Sequence, residues 1–388
     1  MIHLTKSEEE LNSKLSKLKA AAGSHSPSIK TLLIELGLKG LEVDACFLSN
    51  PYATDLFMKR LQKDLIETNA IRDCLEFYPS QNSVLAARLS EHLNIDPSML
   101  FVGNGAIEII QAVLHRFGGQ KVVVNLPTFS SYYEFAREDQ SVYYYMLKKE
   151  DKFHLDPDRY ISFIERCRPD TVVLINPNNP DGSYIKRNEL EQILDNIGWV
   201  KNIIIDESFV HFAYENGPSN IPYHHNLLDR YRNLIIIKSM SKDFGLAGLR
   251  LGYAIMSADK VSSLLRNGYL WNSNGLAEYF VQLLADREFY QEYEKVRIDY
   301  LHSTEKFFSA VEAIPHMAVY PSRANFILVE LLNGIKAKTL TAKLLFSHGI
   351  YVRNCNDKIG LDGEFVRVAA RSESENFKIL TALTKVLN

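Results

Sequence analysis

Between residues 100 and 240 the chain repeats one pattern: a short unbroken apolar run, a polar or glycine-bearing turn, then a longer stretch with helical spacing. The runs at 122–124 (three valines), 171–175, 203–205 (three isoleucines) and 234–237 are rich in β-branched residues and stop at polar ones. Unbroken runs of that length predict strands covered on both faces. Their alternation with helices predicts an α/β fold, a mainly parallel sheet between helix layers. After residue 310 the pattern changes to short strands near 317–319, 324–330, 350–353 and 365–369 with helices between, which predicts a smaller α+β unit. Helices are expected over 8–22, over 31–37 with Gly37 as the stop, from Ala53 to about Thr68, and over 286–310 as one long helix or two joined ones. The expected division is an N-terminal arm and helix (1–47), a large domain (48–285) and a small C-terminal domain (286–388) to which the arm contributes.

Chemistry gathers where the apolar runs stop. Gly103-Asn-Gly105 turns a strand directly into a helix. Glycines there let the N–H groups of Gly105, Ala106 and Ile107 converge on an anion at the positive end of the helix. The dinucleotide pattern GxGxxG is absent. Phe129 follows the run at 122–126, where a flat aromatic can stack on a heteroaromatic ring or simply pack in the core. In Asn176-Pro-Asn-Asn-Pro180 the prolines fix the backbone and present Asn179, which could donate to a phenolate oxygen. Asp206 ends the isoleucine run; a buried carboxylate needs a partner, and a protonated pyridine nitrogen supplies one. Lys242 lies in Lys238-Ser-Met-Ser-Lys242, with Gly245, Gly248 and Arg250 following. Hydroxyls and glycines around a lysine suit a Schiff base with an aldehyde, with Ser239 and Arg250 available to an anion. The plainer reading of that stretch is a surface loop with two ordinary cations.

Composition narrows the field. The 388 residues are 46% hydrophobic and 23% charged with net charge −3, an ordinary globular balance that suits two domains. It gives no global drive toward nucleic acid or membrane, so any anion recognition is local. No apolar run is long enough to span a membrane, and the acidic start does not resemble a leader. The cysteines at 46, 74, 167 and 355 form no CxxC pair, which argues for free thiols in the cytoplasm and against a metal site.

Order and spacing, 27 positions from Asn179 to Asp206 (206 − 179) and 36 from Asp206 to Lys242 (242 − 206), resemble the class I/II aminotransferases of fold type I, which use pyridoxal 5′-phosphate. The resemblance covers nearly the whole chain and implies a seven-stranded-type sheet in the large domain. It implies that Lys242 carries the cofactor and moves the proton at Cα, Asp206 pairs with the ring nitrogen, Asn179 touches the ring oxygen and Phe129 stacks on the ring. Gly105, Ala106, Ile107, Ser239 and Arg250 would face the cofactor phosphate. Tyr78, held extended before Pro79, and the loop 270–274 would come from the other subunit of a homodimer with shared sites; read alone, Tyr78 fits a packed core tyrosine as well. One departure is Phe209, where the family usually has a tyrosine bonded to the ring oxygen.

Within the family, Asp206-Glu-Ser-Phe209, Pro321-Ser-Arg-Ala-Asn-Phe326, Gly360-Leu-Asp362 and Arg367-Val-Ala-Ala-Arg371 resemble the branch of histidinol-phosphate aminotransferases and threonine-phosphate decarboxylases. That branch implies a small phosphorylated amino substrate. His25, Asn50, Arg353, Arg367 and Arg371 are its substrate-binding candidates: Arg367 for the carboxylate, and Arg353, Arg371 and His25 for the phosphate. Arg371 reads equally as a salt-bridge partner. Decarboxylation of an O-phospho-amino acid is narrowly preferred over transamination, because the two share every cofactor contact.

Overall fold

The structure is a computed structural model that describes residues 2–266, 268–269 and 271–387. In chain order its strands are β1 (Val43–Ala45), β2 (Leu100–Gly103), β3 (Lys121–Leu126), β4 (Ser141–Met146), β5 (Thr171–Ile175), β6 (Asn202–Asp206), β7 (Leu234–Ser239), β8 (Gly252–Ile255), β9 (Met317–Val319), β10 (Phe326–Leu331), β11 (Ile350–Asn354) and β12 (Phe365–Ala369). Seven of them form a sheet in the order β2-β8-β7-β6-β5-β3-β4. The run β7-β6-β5-β3-β4 is parallel throughout, and β8 is antiparallel to both its neighbours.

The apolar runs explain this sheet. Val123, Val172, Leu174, Ile203, Ile205 and Ile236 pack into one core cluster. Val122, Val124, Val173, Ile204, Ile235 and Ile237 pack into another on the opposite face. Successive strand residues point to opposite faces, so a strand covered on both sides must be apolar at every position. Polar residues are therefore confined to strand ends, and the register sets Ile175 beside Asp206 and Asp206 beside Ile237. The ends of β5, β6 and β7 thus form one rim, where parallel sheets place their ligand sites.

Two strands of this sheet escape a search for unbroken apolar runs. β4 is an edge strand whose Tyr143, Tyr144 and Met146 are exposed. β8 begins two residues after Arg250, and its pairing of Gly252 with Ser239 brings Arg250 back to the rim.

The second sheet, in the order β1-β11-β12-β10-β9, contains the short strands near the C-terminus. β1 joins it by parallel pairing with β11, so the N-terminal segment is built into it. The helix Arg287–Glu312 runs as one piece, whereas the expected helix from Ala53 is Pro51–Leu61 continued by a π-helical turn, Gln62–Ile66. The N-terminal helix Lys6–Ala21 is closed by a Thr5–Glu8 capping box.

Candidate active site

Lys242 projects from the loop that follows β7, and that loop is tied down on several sides. The backbone N–H of Asn50 donates to the Lys242 carbonyl at 2.9 Å, and Thr54 Oγ1 donates to the Gly245 carbonyl at 2.9 Å. Beneath it, fully buried Lys238 is ion-paired with Asp243, whose carboxylate also meets His211 Nδ1 at 3.1 Å. The backbone carrying Lys242 is therefore fixed, while its Nζ makes no hydrogen bond among the described residues. Burial, then the nearby Arg367 and Arg250, push the Lys242 amine down to about 8.

Around Lys242 a cavity is lined by Ala106, Ile107, Phe129, Asn179, Asp206, Phe209, Ser239 and Arg250, among others. Asp206 is 3% exposed, accepting from Tyr132 OH at 2.9 Å and from the Ser208 N–H at 2.8 Å. Burial pushes its carboxyl above the usual range, and no side-chain cation lies within ion-pair distance among the described residues. It is a buried acid lacking a cationic partner. Asn176 and Asn178 are both consumed in bracing their turn, through Ile185, Thr128 and Pro127, which leaves Asn179 as the one that reaches the cavity.

The glycine turn works differently from the sequence expectation. The Gly105 N–H donates to the Gly103 carbonyl at 2.8 Å, so it does not face an anion. The amides left for that purpose belong to Ala106 and Ile107, which open the helix Ala106–Phe117. What requires glycine at 105 is shape: φ is +84°, and a Cβ would lie 2.5 Å from Arg250 Nη2. A helix N-terminus, Ser239 and Arg250 thus form one anion cradle beside the cavity.

A second cavity adjoins the first, sharing Ile107, Phe129, Asn179 and Lys242 with it, and adds His25, Arg353, Lys358 and Arg367. Arg367 donates to Asn179 Oδ1 at 2.5 Å and to the Cys46 carbonyl at 2.8 Å, and its guanidinium lies 5.1 Å over the Phe326 ring. Its buried Nε has no partner. Arg353 donates to the carbonyls of Ser24 (2.8 Å) and Asn354 (2.7 Å) and to Asp357 (2.6 Å). His25 is exposed, 3.4 Å from Glu134, with its ring edge-on to Phe129.

Other sequence candidates fall elsewhere. Arg371 lines neither cavity; it donates to the Ser49 carbonyl and hydroxyl at 3.1 and 3.0 Å and meets Glu375 at 3.4 Å. These contacts engage its terminal nitrogens, as the salt-bridge reading of the sequence expected. Asn50 is likewise absent from both walls, and its Oδ1 caps the helix Pro51–Leu61. Tyr78 is 79% exposed and stacks on Trp271 at 4.8 Å, far from a core role. Of the loop 270–274, Leu270 lies outside the described residues, and Asn274 Nδ2 donates to the Leu249 carbonyl of its own chain at 2.8 Å. Lys358, Ser24 and Tyr132 were missed by sequence reasoning. Lys358 sits in a polar loop without periodicity, and nothing local marks it as facing a cavity.

The donor set fits pyridoxal phosphate: an amine of lowered pKa, an orphaned buried acid, a half-buried aromatic ring, and a separate anion cradle. The family model described as aminotransferase class I and II matches residues 47–383. The chain belongs to this family. An L-serine phosphate decarboxylase of Campylobacter jejuni is 53% identical over 386 residues, covering 100% of this chain and 99% of that one. An L-serine phosphate decarboxylase of Sulfurospirillum multivorans is 45% identical, covering 95% and 94%. A solved decarboxylase structure from S. multivorans superimposes with a TM-score of 0.94 at 44% identity, covering 98% of this chain and 97% of that one. Like other aminotransferase class I and II proteins, this one has the fold-type I architecture and pyridoxal phosphate as its cofactor. No helix among the described residues is long and apolar enough to cross a membrane, and no cluster there could hold a metal ion.

Proposed function

We propose that the protein is a pyridoxal-phosphate-dependent decarboxylase of an O-phospho-amino acid, with phosphoserine as the first candidate. The observation that carries this reading is the cationic second cavity opening onto Lys242. Arg353 and Arg367 are direct partners across the antiparallel β11–β12 ladder. Like charges opposite one another in a sheet are destabilising, which favours an anion between or before them. A carboxylate needs one arginine fork, so a second one argues for a phosphate as well. The two full-length relatives named for serine phosphate support the same substrate class.

Bound in the first cavity, pyridoxal phosphate supplies an electron sink for the pair left when a bond at the substrate α-carbon breaks. Asp206 would hold a proton on the ring nitrogen, and Asn179 and Phe129, which line the same cavity, would hold the ring through its oxygen and by stacking. The Ala106 and Ile107 amides, Ser239 and Arg250 would hold the cofactor phosphate. Arg367 orients the substrate carboxylate. After carbon dioxide leaves, Lys242 Nζ returns a proton to the α-carbon, so phosphoserine yields the corresponding phosphorylated amine. Phe209 is buried against Phe326 and offers the ring oxygen no hydroxyl, which leaves Asn179 as the polar contact there.

The deciding experiment supplies phosphoserine to the purified holoenzyme without any keto acid. Carbon dioxide release in multiple turnovers is expected. No release, with amino transfer only when a keto acid is added, would make it a transaminase instead.

The same reading includes a homodimer with shared sites, in free solution in the cytoplasm, where the cysteines stand free. Leu75, Phe77 and Tyr78 form an exposed apolar group on one chain, which a second copy would cover. Mixing inactive Lys242→Ala chains with impaired Tyr78→Ala chains is expected to raise activity above either parent, because one hybrid site then has both residues. Full activity in a species that sedimentation shows to be a monomer would refute the shared site.

A further inference from the structure

The second cavity has charge without compensation. Arg353, Lys358 and Arg367 line it, and no carboxylate among the described residues does. Asp357, one residue before Lys358, is turned to Arg353 at 2.6 Å and to Lys19 at 3.4 Å. Burial pushes the Asp357 carboxyl up, but Arg353 and Lys19 outweigh it and hold it below the usual range, so its charge is already engaged.

Apart from Lys242, which the two cavities share, these three cations differ in what they have left to give. Arg353 uses three of its four terminal N–H donors on Ser24, Asn354 and Asp357, and Arg367 uses two of its four on Asn179 and Cys46, which leaves it donors for the substrate carboxylate. Lys358 is 9% exposed, yet its ammonium has no hydrogen bond or ion pair among the described residues. An unpaired charge of that burial is costly unless a ligand completes it. Lys358 is also held in place. It sits in the loop joining β11 to β12, with its N–H on the Cys355 carbonyl at 2.9 Å and its carbonyl accepting from Leu361 at 3.2 Å. The tip of that loop lies against the end of β3: a Cβ on Gly360, where φ is +90°, would come 3.1 Å from Pro127 N. The chain that leads to Phe129 therefore braces the loop that carries Lys358.

We infer that Lys358 is the principal free donor for the substrate phosphate, with Arg353 as its anchored neighbour, and that it sets the preference for phosphorylated over unphosphorylated amino acids. This rests on the substrate class proposed above. Burial and Arg353 push the Lys358 ammonium down to about 8, as expected for a cation whose counterion arrives with the ligand. Three rotatable N–H donors on a compact head suit one tetrahedral dianion, whereas a guanidinium offers a rigid planar fork.

The test uses holoenzyme, in which the cofactor's own phosphate already fills the other cradle. Binding of inorganic phosphate is measured by calorimetry, and kcat/KM is compared for phosphoserine and serine. For Lys358→Met the ratio of phosphoserine to serine kcat/KM is expected to fall by about two powers of ten, through KM more than kcat, and phosphate affinity by tenfold or more. Lys358→Arg should recover part of both, and Lys358→Gln serves if the methionine variant does not fold. A variant that loses both substrates equally, or binds phosphate like the parent, overturns the inference. If the parent releases no carbon dioxide from phosphoserine while phosphate binding still depends on Lys358, the decarboxylase reading fails and the anion site stands.

Discussion

Lys242→Ala is expected to lower turnover by about four powers of ten or more, because the variant loses both the attachment point for the cofactor aldehyde and the group that returns the α-proton. The magnitude follows from what the fold does to this amine. An ordinary lysine is neutral in only about one molecule per thousand at pH 7.5, whereas a pKa of about 8 leaves roughly a quarter neutral and nucleophilic. Burial dominates that change, and the charges of Arg367 and Arg250 add to it. No neighbouring amine can substitute: Lys238 is fully buried in its pair with Asp243, and Lys358 stands in the adjoining cavity. Two measurements check this. Carbon dioxide release should vanish into the background, and borohydride should add the mass of the reduced cofactor to the parent chain at Lys242 but not to the variant. The variant should still bind cofactor weakly, since the anion cradle is untouched. Wild-type turnover in the variant would remove the basis for every role proposed here.

How much of this was legible depends on whether a residue's role is set locally. Asp206, Asn179 and Lys242 stand at the ends of β-branched runs, and a strand covered on both faces has nowhere else to hold a polar side chain, so position in the run already implied the rim. The parallel core of the large sheet followed for the same reason. Arg371 could not be resolved that way: its terminal nitrogens are engaged by Ser49 and Glu375, and the contact with Ser49 exists only after the N-terminal segment docks. Lys358 is the converse case, a loop lysine turned inward because Gly360 meets Pro127 from a distant part of the chain. The Gly105 turn was placed correctly, but its N–H direction depends on φ, which the glycine permits and does not specify.

Asp206→Asn separates catalysis from stability with opposite signs. In the protein without cofactor, burial raises the Asp206 carboxyl above its usual range, so the folded state holds this proton more tightly than the unfolded chain does. Stability from this group is therefore lost as pH rises through the raised value. At neutral pH an isosteric amide should leave the cofactor-free protein as stable as the parent or more so, and the gain should shrink as the pH is lowered. Asparagine can keep its Oδ1 on the Ser208 N–H and, with its Nδ2 where the second carboxylate oxygen was, donate to the Tyr132 hydroxyl instead of accepting from it, so the local geometry has no reason to move. With cofactor bound, the balance reverses. A carboxylate paired with the ring nitrogen would hold a proton there and the pair would compensate its own burial, whereas a neutral amide would not favour the cationic ring. Losing a preorganised charge at the point where electrons accumulate is expected to lower kcat by about two to three powers of ten. Tm of the cofactor-free proteins and kcat of the loaded ones provide the two readings. A cofactor analogue methylated at the ring nitrogen, whose positive charge is permanent, should restore part of the loss in Asp206→Asn. If kcat stays within about threefold of the parent, or the analogue rescues nothing, Asp206 does not act through the ring nitrogen's charge.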